Sequence, residues 1–97
     1  MKIPGQIRIG GVEFEVFPEH RLNDGERILA GQIRYMECQI ALAAESSHEY
    51  KCLSLWHEIM HGILLNIGRE DLSNDENFVT VLGNAIYASF EVKEVEK

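Results

Sequence analysis

Residues 48 to 68 read HEYKCLSLWHEIMHGILLNIG, and the fold turns on whether this run is one helix. Ser46 and Ser47 stand before it as candidate N-caps, and Glu49 sits where the positive end of a helix dipole favours an acid. Gly68 suits the position just after a helix, because it takes positive φ without a Cβ clash. The spacing predicts a helix from about His48 to Ile67. On a wheel of about 100° per residue, Cys52, Leu53, Leu55, Trp56, Ile59, Met60, Ile63 and Ile67 share a broad packing arc. Ser54, His57, Glu58 and His61 fall away from it, with His61 about 40° and Glu58 about 100° from His57. A charge buried there without a partner costs several kcal/mol, so the polar side of the helix needs a purpose.

Outward from this helix the pattern changes. On the N-terminal side, "QIRIGGVEFEVF" predicts a hairpin: Ile7 and Ile9 alternate with polar residues, Gly10-Gly11 supplies the turn, and Val12, Phe14 and Val16 alternate again. "PEHRLNDGER" reads as a polar loop with a turn at Asn23-Asp24-Gly25. "GQIRYMECQIALA" reads as a second hairpin, Gln32–Tyr35 turning near Met36-Glu37 into Cys38–Leu42. On the C-terminal side, "REDLSN" reads as a polar loop. A second helix is expected from near Asn74, with Phe78, Val79, Leu82, Ile86, Ser89 and Phe90 on one stripe and the charged "EVKEVEK" fraying after it. Strands first and helices after them give an α+β order: a small antiparallel or mixed sheet of three to four strands, an active-site helix and a second packing helix. The 97 residues are expected to form one domain, 1–97, with strands in 1–45 and two helices in 46–97.

Composition narrows the partners. The net charge of −7 leaves too few cations to displace the counterions of a nucleic-acid backbone, and it suits a basic protein partner or simple solubility. No apolar run reaches the ~18 residues of a membrane span, and no signal-peptide core is visible at the start. The two cysteines, Cys38 and Cys52, are not at Cys-x-x-Cys spacing and are too few for a disulfide scaffold. A cytoplasmic protein is expected.

The polar side of the helix carries His57-Glu58-Ile59-Met60-His61, the His-Glu-x-x-His arrangement. Histidines at i and i+4 stack one turn apart, so both imidazoles reach one Zn²⁺ at roughly 2.0–2.1 Å. The intervening glutamate points beside the metal, where it takes a proton from a water that the ion has acidified. A catalytic zinc needs a third protein ligand and one open position. A longer motif ending in a third histidine is excluded, because Leu64 and Ile67 occupy its glycine and histidine positions. Four acids follow: Glu70, Asp71, Asp75 and Glu76. Glu76 is the first choice, since the opening turn of a helix aims it rigidly and Gly83 on the same stripe lets that helix approach closely. Asp75 is the alternative, and Glu70 and Asp71 sit in the loop. A competing reading makes Ser73-Asn74-Asp75-Glu76 a capping box with Ser73 as N-cap and Glu76 as its reciprocal partner.

"HEIMH" followed by a helix carrying "DENFVT" resembles the gluzincin branch of the zincin metallopeptidases, above all small bacterial and phage-encoded members including the ImmA/IrrE-like proteins. The likeness runs over roughly Leu53 to Phe90. It implies a minimal zincin-like fold in which His57, His61 and Glu76 bind zinc and Glu58 is the general base. It also implies an edge strand over the cleft, here around Cys38–Leu42, that pairs with an extended peptide or protein substrate. No lower subdomain is expected within these 97 residues, so a narrow substrate or an activity expressed within a complex fits better than general proteolysis. The alternative is a zinc-stapled, non-catalytic regulatory or protein-binding module of a phage or mobile element.

Other polar residues are read more plainly. Tyr87 lies about 16 Å along the stripe from Glu76, too far for an oxyanion stabiliser unless the helices cross steeply. Asn84 is open to the same role, and Tyr50 lies two turns before His57. His20 and His48 are expected at the surface and Cys52 as a buried thiol.

Overall fold

The computed structural model describes residues 1–89, so Phe90 and the expected fraying of "EVKEVEK" lie outside the described residues. Four strands come first: β1 (Gln6–Ile9), β2 (Val12–Glu19), β3 (Gly31–Arg34) and β4 (Gln39–Ala43). Three helices follow: α1 (His48–Asn66), α2 (Glu70–Ser73) and α3 (Glu76–Ser89). The α+β reading holds, and the sheet is mixed.

Gly10 and Gly11, at φ 57° and 81°, make the two-residue turn that joins β1 to β2 with Ile9 opposite Val12. The second hairpin closes through Tyr35, whose carbonyl accepts the Cys38 N–H at 3.3 Å, and aligns Ile33 with Ile40. The strand order is β1-β2-β4-β3. β4 therefore lies inside the sheet, parallel to β2 and antiparallel to β3. This corrects the expectation that Cys38–Leu42 is the free edge: the edge on that side is β3. Alternation alone cannot show it, because pairing β2 with β4 requires the chain to place β3 outside both.

One sheet face carries Phe14, Val16, Ile40 and Leu42, and α1 packs Leu55, Ile59, Met60 and Leu64 onto it. The helix starts at the expected place, with Ser47 Oγ accepting the Tyr50 N–H at 3.2 Å, and ends before Gly68 at φ 82°. Ile63 and Ile67, expected on the packing arc, are exposed instead, since the sheet covers a narrower stripe of α1 than the wheel suggests.

Two corrections fall after α1. "REDLSN" is not wholly a loop: Glu70–Ser73 form the single turn of α2. The N-cap of α3 is not Ser73. Asp75 takes that place, its Oδ1 accepting the Phe78 N–H at 3.0 Å and its carbonyl the Val79 N–H at 3.0 Å. α3 then packs on α1 through Val79, Leu82, Gly83 and Ile86. Among the described residues no helix is long and apolar enough to cross a membrane.

Candidate metal centre

α1 forms the floor of an open cleft of about 1000 Å³, with β3 along one side and α3 along the other. His57 and His61 rise from the floor one turn apart, their rings edge to face with centroids 4.9 Å apart. Glu76 reaches them from the first turn of α3. Its Oε1 is 2.7 Å from His61 Nε2 and its Oε2 is 3.1 Å from His57 Nε2. The donor atoms of His57, His61 and Glu76 all lie within 4.8 Å of one another.

Each donor position has a structural cause. Gly83 lies against the backbone of α1: a Cβ there would stand 3.3 Å from His57 Cα and 3.4 Å from His57 N. That contact sets the helix separation at which Glu76, two turns earlier, meets the histidines. Asp75, the alternative ligand, spends its carboxylate on the α3 cap. Asp71 turns to Arg69 at 3.0 Å, and Glu70 only lines the cleft. The capping-box reading of Glu76 fails for the same reason, because a helix capped by Asp75 leaves the Glu76 carboxylate free.

The donor set fits a divalent cation. His61 Nδ1 lies 2.7 Å from the Ser73 carbonyl, which fixes a hydrogen on that nitrogen. Its Nε2 faces the Glu76 carboxylate and stands 3.2 Å from His57 Nε2. Two imidazole Nε2 atoms and a carboxylate within 4.8 Å of one another form a set that a divalent cation would complete.

Glu58 sits apart from the three. Its side chain is buried, with Oε2 4.0 Å from His57 Nε2, and its Oε1 accepts the Ile33 N–H from β3 at 3.1 Å. Burial pushes its carboxyl up to about 7, the Glu76 charge adds to the rise, and the Ile33 N–H opposes it. His57 moves the other way: burial lowers its basicity, and the nearby Glu76 only partly restores it. A neutral imidazole is the form that binds a metal.

Sequence reasoning missed three features of this cleft. Gly31 leaves room for Glu58, whose Cγ and Oε2 would both be 3.3 Å from a Cβ at that position. Ile33 supplies the N–H that holds the glutamate. Tyr35 lines the same cleft, with its ring edge to face with Phe14 at 6.5 Å. Their shared odd register on β3 was the available signal, since residues 31, 33 and 35 fall on one face of a strand. The other polar residues stand where they were expected or farther away. Tyr87 lies toward Cys52 and Glu49, Asn84 and Tyr50 line the cleft, and His20 pairs with Glu45 at the surface. His48 is exposed, with Nε2 2.7 Å from the Met1 carbonyl, and Cys52 is a buried free thiol.

Comparison with protein-family models, curated proteins and solved structures finds no match to this chain.

Proposed function

We infer that this protein is a zinc-dependent peptidase of the gluzincin type, acting on an extended peptide or protein segment. The observation that carries the reading is the set of three converging donors, His57, His61 and Glu76, beside a buried carboxylate in an open cleft. Three protein donors with solvent access is the pattern of a catalytic zinc, whereas a structural zinc takes four. When bound, the ion would polarise the scissile carbonyl and acidify a water.

The chain's own residues supply the rest. Glu58, with its carboxyl near neutrality, removes a proton from the attacking water and passes it to the leaving amine. Gly31 and Ile33 on the edge strand β3 lie along the cleft and line up a substrate backbone. The serine carbonyl at position 73 and the cap at Asp75 hold the ligands in place.

The test is zinc uptake and peptide hydrolysis by the full chain and by Glu58→Gln. The expected result is about one zinc per chain in both proteins and hydrolysis only in the first. Hydrolysis that survives Glu58→Gln would overturn the mechanism, and a folded chain that takes up no zinc would overturn the function.

A further inference from the structure

The base of this site has a position, but the developing negative charge on a carbonyl under attack also needs a donor. Among the described residues the cleft is lined by several neutral polar side chains, among them Gln32, Tyr35, Tyr50, Asn74 and Asn84. Tyr50 lies seven residues before His57, about 10 Å along the helix axis. Asn84 follows Gly83, which lies against the His57 backbone, and is exposed. Tyr35 is placed differently. It directly follows the edge strand, two residues beyond the N–H that holds Glu58, and is 40% exposed, so its face is open to a ligand.

One contact places its hydroxyl. Ser73 is beside it, and Ser73 in turn holds His61 twice, through its carbonyl to Nδ1 at 2.7 Å and from its hydroxyl to the His61 carbonyl at 3.0 Å. Glu58 lies on the His57 side of the ligands, 4.0 Å from that ring. The base thus lies by His57, and the hydroxyl by the serine that holds His61. The Phe14 ring and the turn after Tyr35 anchor the aromatic ring, so the donor is set before substrate arrives.

We propose that Tyr35 is the electrophilic donor of this site, its hydroxyl hydrogen-bonding the oxyanion that forms as Glu58 delivers water to the peptide carbonyl. This inference rests on the peptidase reading. Burial raises the tyrosine above its usual acidity range, the Ser73 hydrogen bond opposes the rise, and the Glu58 charge adds to it.

The test uses zinc-loaded full chain, Tyr35→Phe, and N-phosphoryl-Leu-Trp as the probe, whose tetrahedral phosphoryl oxygens stand for the oxyanion. The phenylalanine keeps the ring contact with Phe14 and removes only the hydroxyl. Expected are unchanged zinc content and melting temperature, binding of the probe weakened by about 10- to 100-fold, and casein-peptide hydrolysis lowered in kcat by about 10²-fold with little change in KM. Probe binding within about twofold of wild type overturns the role of Tyr35 and leaves the metal site standing. Zinc-loaded wild type that ignores the probe overturns it as well. Wild type that takes up no zinc overturns the peptidase reading itself.

Discussion

The backbone N–H of Ile33 donates to Oε1 of Glu58 at 3.1 Å, tying the buried carboxylate of α1 to the free edge of the sheet. The bond comes from a strand that has no further strand beside it, so the N–H would otherwise face the cleft. It is the one contact among those acting on Glu58 that favours the charged form, and burial outweighs it.

That imbalance makes the stability of the metal-free protein depend on pH. Unfolded, Glu58 titrates near 4.5; folded, near about 7. Between these values the folded chain holds a proton that the unfolded chain has released, so this group's contribution is fullest below 4.5 and falls as pH rises toward 7. The full change is on the order of 3 kcal/mol. His57 opposes it, because its lowered basicity makes folding more favourable as pH rises toward its ordinary value. Glu58→Gln removes the first contribution and keeps the second. Urea unfolding of both proteins at pH 4.5 and 7.5 in chelator is the measurement. The wild type is expected to lose stability relative to the variant across that interval, and parallel profiles would show that Glu58 is not held neutral by burial.

Metal uptake should follow the geometry residue by residue. His57→Ala and His61→Ala are expected to abolish zinc binding, and Glu76→Ala to weaken it by at least 10-fold. Zinc at about 1,000 times its dissociation constant should stabilise the chain by about 4 kcal/mol, seen as a rise in melting temperature that chelator reverses. Elemental analysis and calorimetry of untagged protein decide it. Full zinc affinity in Glu76→Ala would move the third ligand elsewhere.

Much of this arrangement was legible in the sequence, for definable reasons. α1 announced itself through Ser47, Gly68 and a helical period, and the His-Glu-x-x-His spacing needs only a helix to bring its histidines together. Gly83 was readable as a point of close approach because its stripe also carries Glu76. What was hidden depends on contacts between distant backbones. The four residues of α2 are too few to show a period. The exchange of β3 and β4 at the sheet edge leaves no mark on alternation. Glu58 lies between the two faces of its helix, and the group that holds it is a main-chain N–H, which no side-chain pattern records.

Ser73 was the cap of α3 expected on the capping-box reading and Asp75 is the observed one, and variants should separate their roles. With Asp75 capping the helix, Asp75→Ala is expected to cost about 1 kcal/mol and leave zinc stoichiometry unchanged. Ser73→Ala removes instead the hydroxyl that bonds the His61 carbonyl, and should affect the metal site more than helix content. Thermal unfolding followed by circular dichroism, with zinc titration alongside, reads both effects. Loss of zinc in Asp75→Ala would make Asp75 a ligand, contrary to its role as a cap.

Gly83 gives the sharpest link between packing and the metal. In an exposed helix, alanine in place of glycine would stabilise by up to about 1 kcal/mol. Here a Cβ would stand 3.3 Å from His57 Cα and 3.4 Å from His57 N, and backbone cannot swing aside as a flexible side chain can. α3 must back away by a few tenths of an ångström, at a cost of about 1–3 kcal/mol that outweighs the helix gain. Glu76 moves with α3, so the carboxylate withdraws from both histidines at once. Gly83→Ala should therefore lower stability in chelator and weaken zinc binding, although position 83 touches no metal. Competition against a chromophoric chelator measures the second effect and urea unfolding the first. A more stable variant with unchanged zinc affinity would mean that helix propensity governs this position and that the spacing of α1 and α3 does not set the site.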